Sequence, residues 1–280
     1  MSAVSYVVDT LVGARRILRE QPARGRGPLF FTYLRLRAKL LARRFLPESW
    51  LRRETIFGFH VECFDYTSFV FLFEEIFLRR DYQFNAATER PLILDCGSNI
   101  GMATLYFKRL YPQARIVAFE PSPQSFATLA RNVARNGLAD VRLHNIALAS
   151  FAGTAEFYEH EDFPGSGKNS LRPERAGRRS LPVEARPLSE FIREGVDFLK
   201  MDIEGAEEGV LQELASSGAL RLIRQMVIEY HHHIDPAEDR LSHALALLEK
   251  HGFGYQVRVA PDQPVAPQSF QDLLICAYQK

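Results

Sequence analysis

A glycine-rich loop follows a short apolar stretch near the middle of the chain. Residues 92–101 read LILDCGSNIG, so that Asp95 precedes Gly97, Asn99 and Gly101. Small residues let the backbone turn sharply and approach a ligand, and the helix that follows offers free N–H donors. A dinucleotide-binding loop would have glycine where Asp95 stands, because an acid repels a diphosphate. The pattern therefore favours a ligand that carries an ammonium group.

A second acid ends the next apolar stretch. Glu120 closes residues 115–120, and Ser122 and Pro123 then supply the cap and first residue of a helix. An acid at the end of the second strand of a parallel sheet can accept hydrogen bonds from ribose hydroxyls. The alternative interpretation is a surface acid at a strand end that binds no ligand.

Two further acids close later apolar stretches. Asp202 ends FLKMD, and Glu229 ends MVIE. If these strands are neighbours, both carboxylates lie at one sheet edge, where they could hold a divalent cation or orient and deprotonate a hydroxyl. The alternative is that they bind backbone amides and organise loops.

Three consecutive histidines follow Glu229. Side chains of an extended chain alternate between faces, so only His231 and His233 could converge. The helical His-x-x-x-His spacing of many zinc sites is absent from this segment, which argues against zinc. His231 is instead a candidate base or substrate contact.

Alternating strands and helices are predicted to position these residues. From residue 91 onward the alternation predicts a mostly parallel sheet with helices on both faces. The predicted strands are 92–95, 115–120, 141–145, 198–202, 225–229, 254–259 and 273–278, the last two antiparallel. The predicted helices are 102–111, 123–136, 206–216 and 236–251.

Composition and charge limit the class of protein. The 280 residues are 46% hydrophobic and 25% charged, as in ordinary globular proteins. The net charge of +1 argues against a dedicated nucleic-acid binder. The three cysteines are widely spaced, as is typical of reduced thiols. We see neither an apolar run of about 18 residues nor a secretory signal, so we expect a cytoplasmic protein.

The charge is unevenly distributed. Residues 1–53 hold twelve basic and three acidic residues, a net charge of +9 against −8 for the rest of the chain. We predict two basic helices there, separated by a Pro/Gly break at 22–28, the second at about 30–45. One interpretation is packing on the main domain, and the other is contact with an anionic membrane or lipid-linked substrate. Residues 54–90 are predicted to form a hairpin and a helix.

Residues 153–187 interrupt the alternation of strands and helices. We predict a hairpin with a basic flap that would suit an anionic acceptor. The basic residues of this segment are Lys168, Arg172, Arg175, Arg178, Arg179 and Arg186.

Several motifs together resemble the FkbM family of S-adenosylmethionine-dependent methyltransferases. They are DCGSNIGMAT, VAFEPSPQSFATLARNVARNG, NIALA, FLKMDIEGAE and VIEYH, in the order of the family, over about residues 92–252. Ser98 stands where the family usually has alanine. The resemblance implies an α/β, Rossmann-like class I methyltransferase domain at 91–280 with a seven-stranded, mostly parallel sheet. A basic helical extension at 1–53 and a lead-in at 54–90 would precede it.

The resemblance also implies roles for individual residues. The residues expected to bind S-adenosylmethionine are Asp95, Gly97, Asn99 and Gly101 for its amino-acid end, Glu120 for the ribose, and Asn145 and Ala147 near the adenine. The expected catalytic residues are Asp202, Glu229 and His231. Asp202 and Glu229 could support Mg²⁺, but a third ligand is not evident.

The expected reaction moves a methyl group to a hydroxyl oxygen, of a sugar in a glycan or glycolipid or of another small molecule. No nucleic-acid partner is expected. The alternatives are a non-catalytic S-adenosylmethionine-binding scaffold and an RNA methyltransferase, although the Asn/Asp-Pro-Pro-Tyr/Phe signature of base methylation is absent. The expected location is the cytoplasm. Peripheral contact with the inner face of the membrane through the basic N-terminus is an open alternative.

Overall fold

The chain forms two compact units, Met1–Asp81 and Tyr82–Lys280. The computed structural model describes residues 3–21, 23–159, 169–176, 179–235, 237, 240–259 and 270–280.

The first unit is mainly helical. Its elements are α1 (Ala3–Glu20), α2 (Ala23–Ala42), α3 (Glu48–Leu51), β1 (Arg53–Ile56), β2 (Phe59–Glu62) and α4 (Tyr66–Phe73), which continues as a π-helical segment at Glu74–Arg79. β1 and β2 form the predicted antiparallel hairpin. The first helix packs on the second where Gly13 lies against the Tyr33 ring, so closely that a Cβ on this glycine would overlap the tyrosine hydroxyl.

The predicted break between the two basic helices is wrong in its extent. The second helix begins at Ala23 rather than near Phe30, and Pro28 lies inside it. Gly25 has a φ of +93°, so regular helical geometry starts only after this residue. Pro28 consequently falls in the first regular turn, where a helix can do without the missing N–H.

A seven-stranded sheet forms the centre of the second unit. The strands of this unit are β3 (Leu92–Cys96), β4 (Arg115–Phe119), β5 (Val141–His144), β6 (Ala147–Leu148), β7 (Gly153–Glu159), β8 (Arg179–Arg186), β9 (Phe198–Met201), β10 (Gln225–His232), β11 (Phe253–Val259) and β12 (Gln271–Gln279). Its helices are α5 (Met102–Leu110), α6 (Pro123–Arg135), α7 (Pro173–Ala176), α8 (Glu207–Ser216) and α9 (Leu241–Lys250). The order of the large sheet is β11-β12-β10-β9-β3-β4-β5.

The sheet confirms the predicted class of fold. The pairs β3–β4, β4–β5, β3–β9 and β9–β10 are parallel, and β12 runs antiparallel to both β10 and β11. The central strands β3 and β9 are buried along their whole length. A strand covered on both faces needs a continuous apolar run, which explains LILDC and FLKM, with Asp95 and Lys200 as the exceptions.

All seven predicted strands are present, and β10 and β12 differ most, since each is three residues longer than predicted. The predicted last helix is wrong at its start, since α9 begins at Leu241 and the described residues between 235 and 240 are not helical. Residue 236, where this helix was predicted to begin, lies outside the described part of the chain.

The predicted hairpin within 153–187 is confirmed as β7 and β8, which pair antiparallel over their length. Together with β6 they form a separate three-stranded sheet of order β6-β8-β7. Of the predicted basic flap, Lys168 and Arg178 lie outside the described residues.

Candidate active site

The predicted acids gather at one edge of the large sheet. Asp95 lies in β3, Glu120 directly follows β4, Asp202 directly follows β9, and Glu229 lies in β10. Because these four strands are parallel neighbours, their carboxyl ends lie side by side. Ligands of open α/β sheets bind at this edge.

The loop after β3 is held tightly against its neighbours. Gly97 and Gly101 have φ of +79° and +91°. A Cβ on Gly97 would overlap the backbone carbonyl of Asp202, so only glycine lets the loop approach the end of β9 this closely. On the other side, the N–H groups of Gly97 and Ser98 donate to the carbonyl of Phe119 at 3.0 and 2.9 Å.

Asp95 is completely buried beneath this loop. Its Oδ2 accepts a hydrogen bond from the Thr104 hydroxyl at 2.6 Å. Its Oδ1 has no hydrogen-bond partner within the described part of the protein, and the Lys200 Nζ lies 3.8 Å away. Burial raises the pKa of Asp95, although Lys200 and Thr104 oppose the shift. An ammonium group of a ligand is a chemical match for this unsatisfied oxygen.

Glu120 is buried, so the alternative of a surface acid is wrong. Its Oε2 accepts the N–H of Asn99 at 2.8 Å, and its Oε1 accepts the N–H of Ser122 at 2.9 Å. Burial raises the pKa of Glu120 to about 7, against the effect of these two hydrogen bonds. Each carboxylate oxygen has a second lone pair, so Glu120 can organise the loop and still accept ligand hydroxyls.

The two residues expected near the adenine have different surroundings. Asn145 donates from Nδ2 to the carbonyls of Glu120 and Pro121, at 2.8 and 3.0 Å, and so ties the ends of β5 and β4 together. Ala147 is buried in β6, in the small core of the three-stranded sheet. The structure therefore brings Asn145 to the backbone of Glu120 and places the Ala147 side chain in a separate apolar cluster.

Lys200 is a site residue that the sequence interpretation missed. It is buried on β9, with Nζ 3.3 Å from Oδ2 of Asp202. It also donates to the carbonyl of Gly97 at 2.6 Å. Burial alone would lower the pKa of Lys200, but the carboxylates of Asp202 and Asp95 outweigh burial and raise it. A lysine in an otherwise apolar strand was the available signal.

Asp202, Glu229 and His231 do come together. One potential ligand atom from each lies within 4.8 Å of those of the other two. The two acids are partly exposed, and the Tyr82 hydroxyl donates to Glu229 at 3.3 Å. The carboxylates could accept a proton from a bound hydroxyl or act as oxygen ligands for a divalent cation.

His231 is buried between two carboxylates. Its Nδ1 lies 2.9 Å from Glu207 and its Nε2 3.1 Å from Glu204. Burial would lower the pKa of His231, but these acids raise it well above its usual value. With a proton on each nitrogen the ring donates to both acids, so the contacts favour a fixed cation over a general base.

His231 and His233, the pair that an extended chain could bring together, do not both belong to β10. β10 ends at His232, and His233 has a φ of +57°, which ends the alternation of the extended chain. The rings of His232 and His233 instead lie 3.8 Å apart, centroid to centroid.

Glu207 anchors the turn that leads into α8. Its carboxylate accepts the N–H groups of Ile203 and Gly205 as well as the contact from His231. The segment between β9 and α8 has two residues with positive φ, Glu204 at +54° and Gly205 at +106°. This turn carries Glu204 to the other nitrogen of His231.

The described arginines of the predicted basic flap are not all available to an anionic acceptor. Arg175 donates from Nε to Glu204 at 2.6 Å, and its guanidinium lies 4.3 Å from the centre of the Phe270 ring. Arg179 is exposed at the start of β8. Arg175 therefore belongs to the acidic cluster around His231.

Across the described parts of the chain, no helix combines the length and the apolar character that crossing a bilayer would need.

Known proteins match more than half of this chain. A family model described as the methyltransferase FkbM domain matches residues 95–255. Methyltransferase sdnD from Sordaria araneosa is 34% identical over 228 residues, which cover 69% of this chain and 86% of that protein. Methyltransferase 1 from Beauveria bassiana is 30% identical over 208 residues, covering 67% and 82%.

A solved structure titled methyltransferase FkbM, from Methylobacillus flagellatus, aligns with a TM-score of 0.47 at 18% identity, covering 68% of this chain and 44% of that one. The family match extends from the acid of the glycine-rich loop to β11, and it includes Glu120, Asp202 and Glu229. The chain therefore belongs to the FkbM family of methyltransferases.

Proposed function

We propose that this methyltransferase transfers a methyl group from S-adenosylmethionine to a hydroxyl oxygen of a small molecule or a sugar. The observation that carries the proposal is the meeting of Asp95 and Glu120 with Asp202 and Glu229 at one sheet edge. The first two have the chemistry to bind the donor, and the last two have the chemistry to bind a hydroxyl.

The donor end of the site fits S-adenosylmethionine. The unsatisfied oxygen of Asp95 matches the ammonium group of its methionine part. The remaining lone pairs of Glu120 match ribose hydroxyls, with the loop from Gly97 to Gly101 lying against the ligand. When bound, the donor supplies a methyl group on a positively charged sulfur.

The acceptor end supplies carboxylates to an alcohol. As the alcohol oxygen forms its bond to the methyl carbon, the sulfur–carbon bond breaks and the hydroxyl proton passes to Asp202 or Glu229. The Lys200 Nζ lies 3.3 Å from Oδ2 of Asp202 and so fixes this carboxylate at the end of β9. Alignment of the oxygen with the methyl group provides much of the rate in such a displacement.

The same two acids are the residues that would hold Mg²⁺. Magnesium prefers oxygen ligands and is often bound by one or two carboxylates with water or substrate. His231 makes a poor additional ligand, because both of its nitrogens already face carboxylates.

The names of two relatives support a hydroxyl acceptor. One is the 31-O-demethyl-FK506 methyltransferase FkbM of Streptomyces tacrolimicus, 29% identical over 218 residues. The other is the 2-O-methyltransferase NoeI of Sinorhizobium fredii, 31% identical over 138 residues. Both names specify methylation of an oxygen atom.

Calorimetry tests the donor half of the proposal. Wild type, Glu120→Gln and the control Glu156→Gln, an exposed acid on β7, are titrated with S-adenosylmethionine and S-adenosylhomocysteine. We expect binding by wild type and control and at least about tenfold weaker binding by Glu120→Gln, since one charge-assisted hydrogen bond contributes about 1.5–3 kcal/mol. Absence of binding by wild type would overturn the proposal. Repeating the titration with Mg²⁺ or a chelator tests for a metal.

A further inference from the structure

The outward face of α1 is apolar although it is exposed to solvent. Within residues 6–20, whose side chains the structure describes, five large apolar side chains are exposed: Val7 (52% exposed), Val8 (51%), Leu11 (63%), Val12 (61%) and Leu18 (52%). A helix at a water-facing surface normally carries polar residues on that side. A contiguous exposed apolar patch indicates a surface that binds something.

These side chains form one continuous surface. Successive helical residues are rotated by about 100°, which places all five within an arc of about 140° around the helix axis. Between residues 7 and 19, only Arg15 and Arg19 share this arc, and both are exposed. Asp9 and Glu20, the two acids of α1, lie outside it.

The other side of α1 already has a partner. Ala14 and Ile17 are buried, and Gly13 lies against Tyr33 of α2. The outward face is therefore additional to the surface that α1 needs in order to pack within its own unit. Folding of the first unit does not account for five apolar side chains on the outside of the same helix.

We propose that the outward face of α1 docks on an anionic lipid bilayer, with the helix lying in the plane of the interface. Valine and leucine side chains would enter the boundary between headgroups and acyl chains, and the arginines would reach lipid phosphates with their long side chains. The whole first unit, Met1–Asp81, has a net charge of +5, from fourteen basic and nine acidic residues, which adds attraction to an anionic surface.

Charge selects a bilayer over a second copy of the chain. Two copies meeting through this face would bring Arg15 and Arg19 of both into one interface, with no acid on the face to pair with them. An anionic lipid surface pairs with the same arginines. This inference does not depend on the proposed methyl transfer, and it implies that the enzyme works at a membrane surface.

Vesicle flotation of the full chain tests the proposal. Vesicles of phosphatidylcholine alone are compared with vesicles that also contain phosphatidylglycerol. One variant, Val8→Ser with Leu11→Ser, removes apolar contact, and a second, Arg15→Glu with Arg19→Glu, reverses charge. The matched controls are Val259→Ser, an apolar residue of β11 that is 54% exposed, and Arg142→Glu, an exposed arginine of β5.

We expect wild type and both controls to float with the anionic vesicles. The serine variant should partition at least about tenfold less, because two apolar side chains no longer leave water. The glutamate variant should lose a similar factor on anionic vesicles and little on neutral ones. All the substituted side chains are exposed, and thermal unfolding by circular dichroism checks that each variant folds.

Three results would overturn the proposal. The first is that wild type binds neither vesicle, and the second is that the serine variant floats as well as wild type. Sedimentation could also reveal a dimer that the serine variant dissociates, without vesicle binding, which would assign the face to a second copy. Each result leaves the proposed methyl transfer intact, because donor binding is measured separately.

Discussion

The Nζ atom of Lys200 lies 3.3 Å from the Asp202 carboxylate, and the lysine is buried on the strand that ends at this acid. The same ammonium group lies 3.8 Å from Asp95 and donates to the carbonyl of Gly97. One buried cation thus joins the glycine-rich loop to the acid proposed to face the acceptor. Because buried charges are costly unless paired, these residues should behave as one energetic unit.

The first prediction concerns this unit. Lys200→Met leaves the buried Asp95 without its cation, so we expect the free energy of unfolding to fall by about 3–5 kcal/mol. The double variant Lys200→Met with Asp95→Asn should lose less free energy of unfolding than the two single variants lose in sum, because no uncompensated charge remains. Urea unfolding measures all three variants. The exposed Lys250→Met should stay within about 0.5 kcal/mol of wild type, and strict additivity would refute the coupling.

Lys200 also illustrates how far the sequence could predict the site. Acids at the ends of apolar runs predicted Asp95, Glu120, Asp202 and Glu229 at one edge, because parallel strands end together. The partners of Lys200 depend on the register between β3 and β9, which pairs Asp95 with Lys200. Local sequence patterns do not encode register, so the cluster was not predictable from them.

His231 shows a second limit of sequence patterns. Its surroundings follow from a turn in which Glu204 has a φ of +54°, a conformation that non-glycine residues seldom adopt. Extended-chain periodicity predicted the face of His231 and nothing about Glu204 or Glu207. In the same way, Pro28 suggested a helix break. The sequence shows Gly25 but not its left-handed conformation, which lets the regular helix start just before this proline.

The second prediction is a pH dependence due to Glu120, whose pKa is raised by burial from 4.5 to about 7. Between these two values the folded protein holds a proton that the unfolded chain has released. This contribution to stability is complete below about pH 4.5 and is lost as the pH rises through about 7, by up to about 3 kcal/mol. Glu120→Gln should flatten this part of the curve of unfolding free energy against pH, and Glu156→Gln should not.

Donor binding should show the opposite trend with pH. Ribose hydroxyls donate to the carboxylate, so the ionised form of Glu120 is the form that binds. Affinity for S-adenosylhomocysteine should therefore rise as the pH increases through about 7. Calorimetry at several pH values measures this rise, and a slope that persists in Glu120→Gln would assign it to another group.

The third prediction compares two glycines in the left-handed region. Gly97→Ala puts a Cβ onto the carbonyl of Asp202, whereas a Cβ on Gly137, at a φ of +57°, meets nothing within 4 Å. Gly137→Ala should cost only its backbone strain, about 1–2 kcal/mol. Gly97→Ala should cost clearly more and should also weaken donor binding, because the loop must move. Equal losses in urea unfolding would contradict the close approach of loop and strand.

The fourth prediction separates the two acids from the donor site. Asp202→Asn and Glu229→Gln keep the shape of each side chain but remove the group that accepts the proton. If one of them is the base, its replacement should lower kcat by about 10²–10⁴-fold and leave affinity for S-adenosylhomocysteine nearly unchanged. The control is Asp140→Asn, an exposed acid before β5.

The response to metal then distinguishes the two roles of these acids. If they hold Mg²⁺, a chelator should reduce wild-type activity to the level of the variants, and added Mg²⁺ should restore only the wild type. If they act as bases alone, the chelator should have no effect, while both substitutions still lower kcat.

His231→Asn should unfold more readily in either case, because it leaves Glu204 and Glu207 without the cation between them. Its loss of activity should follow its loss of folded protein, and an inactive but fully stable variant would restore His231 as a catalytic residue.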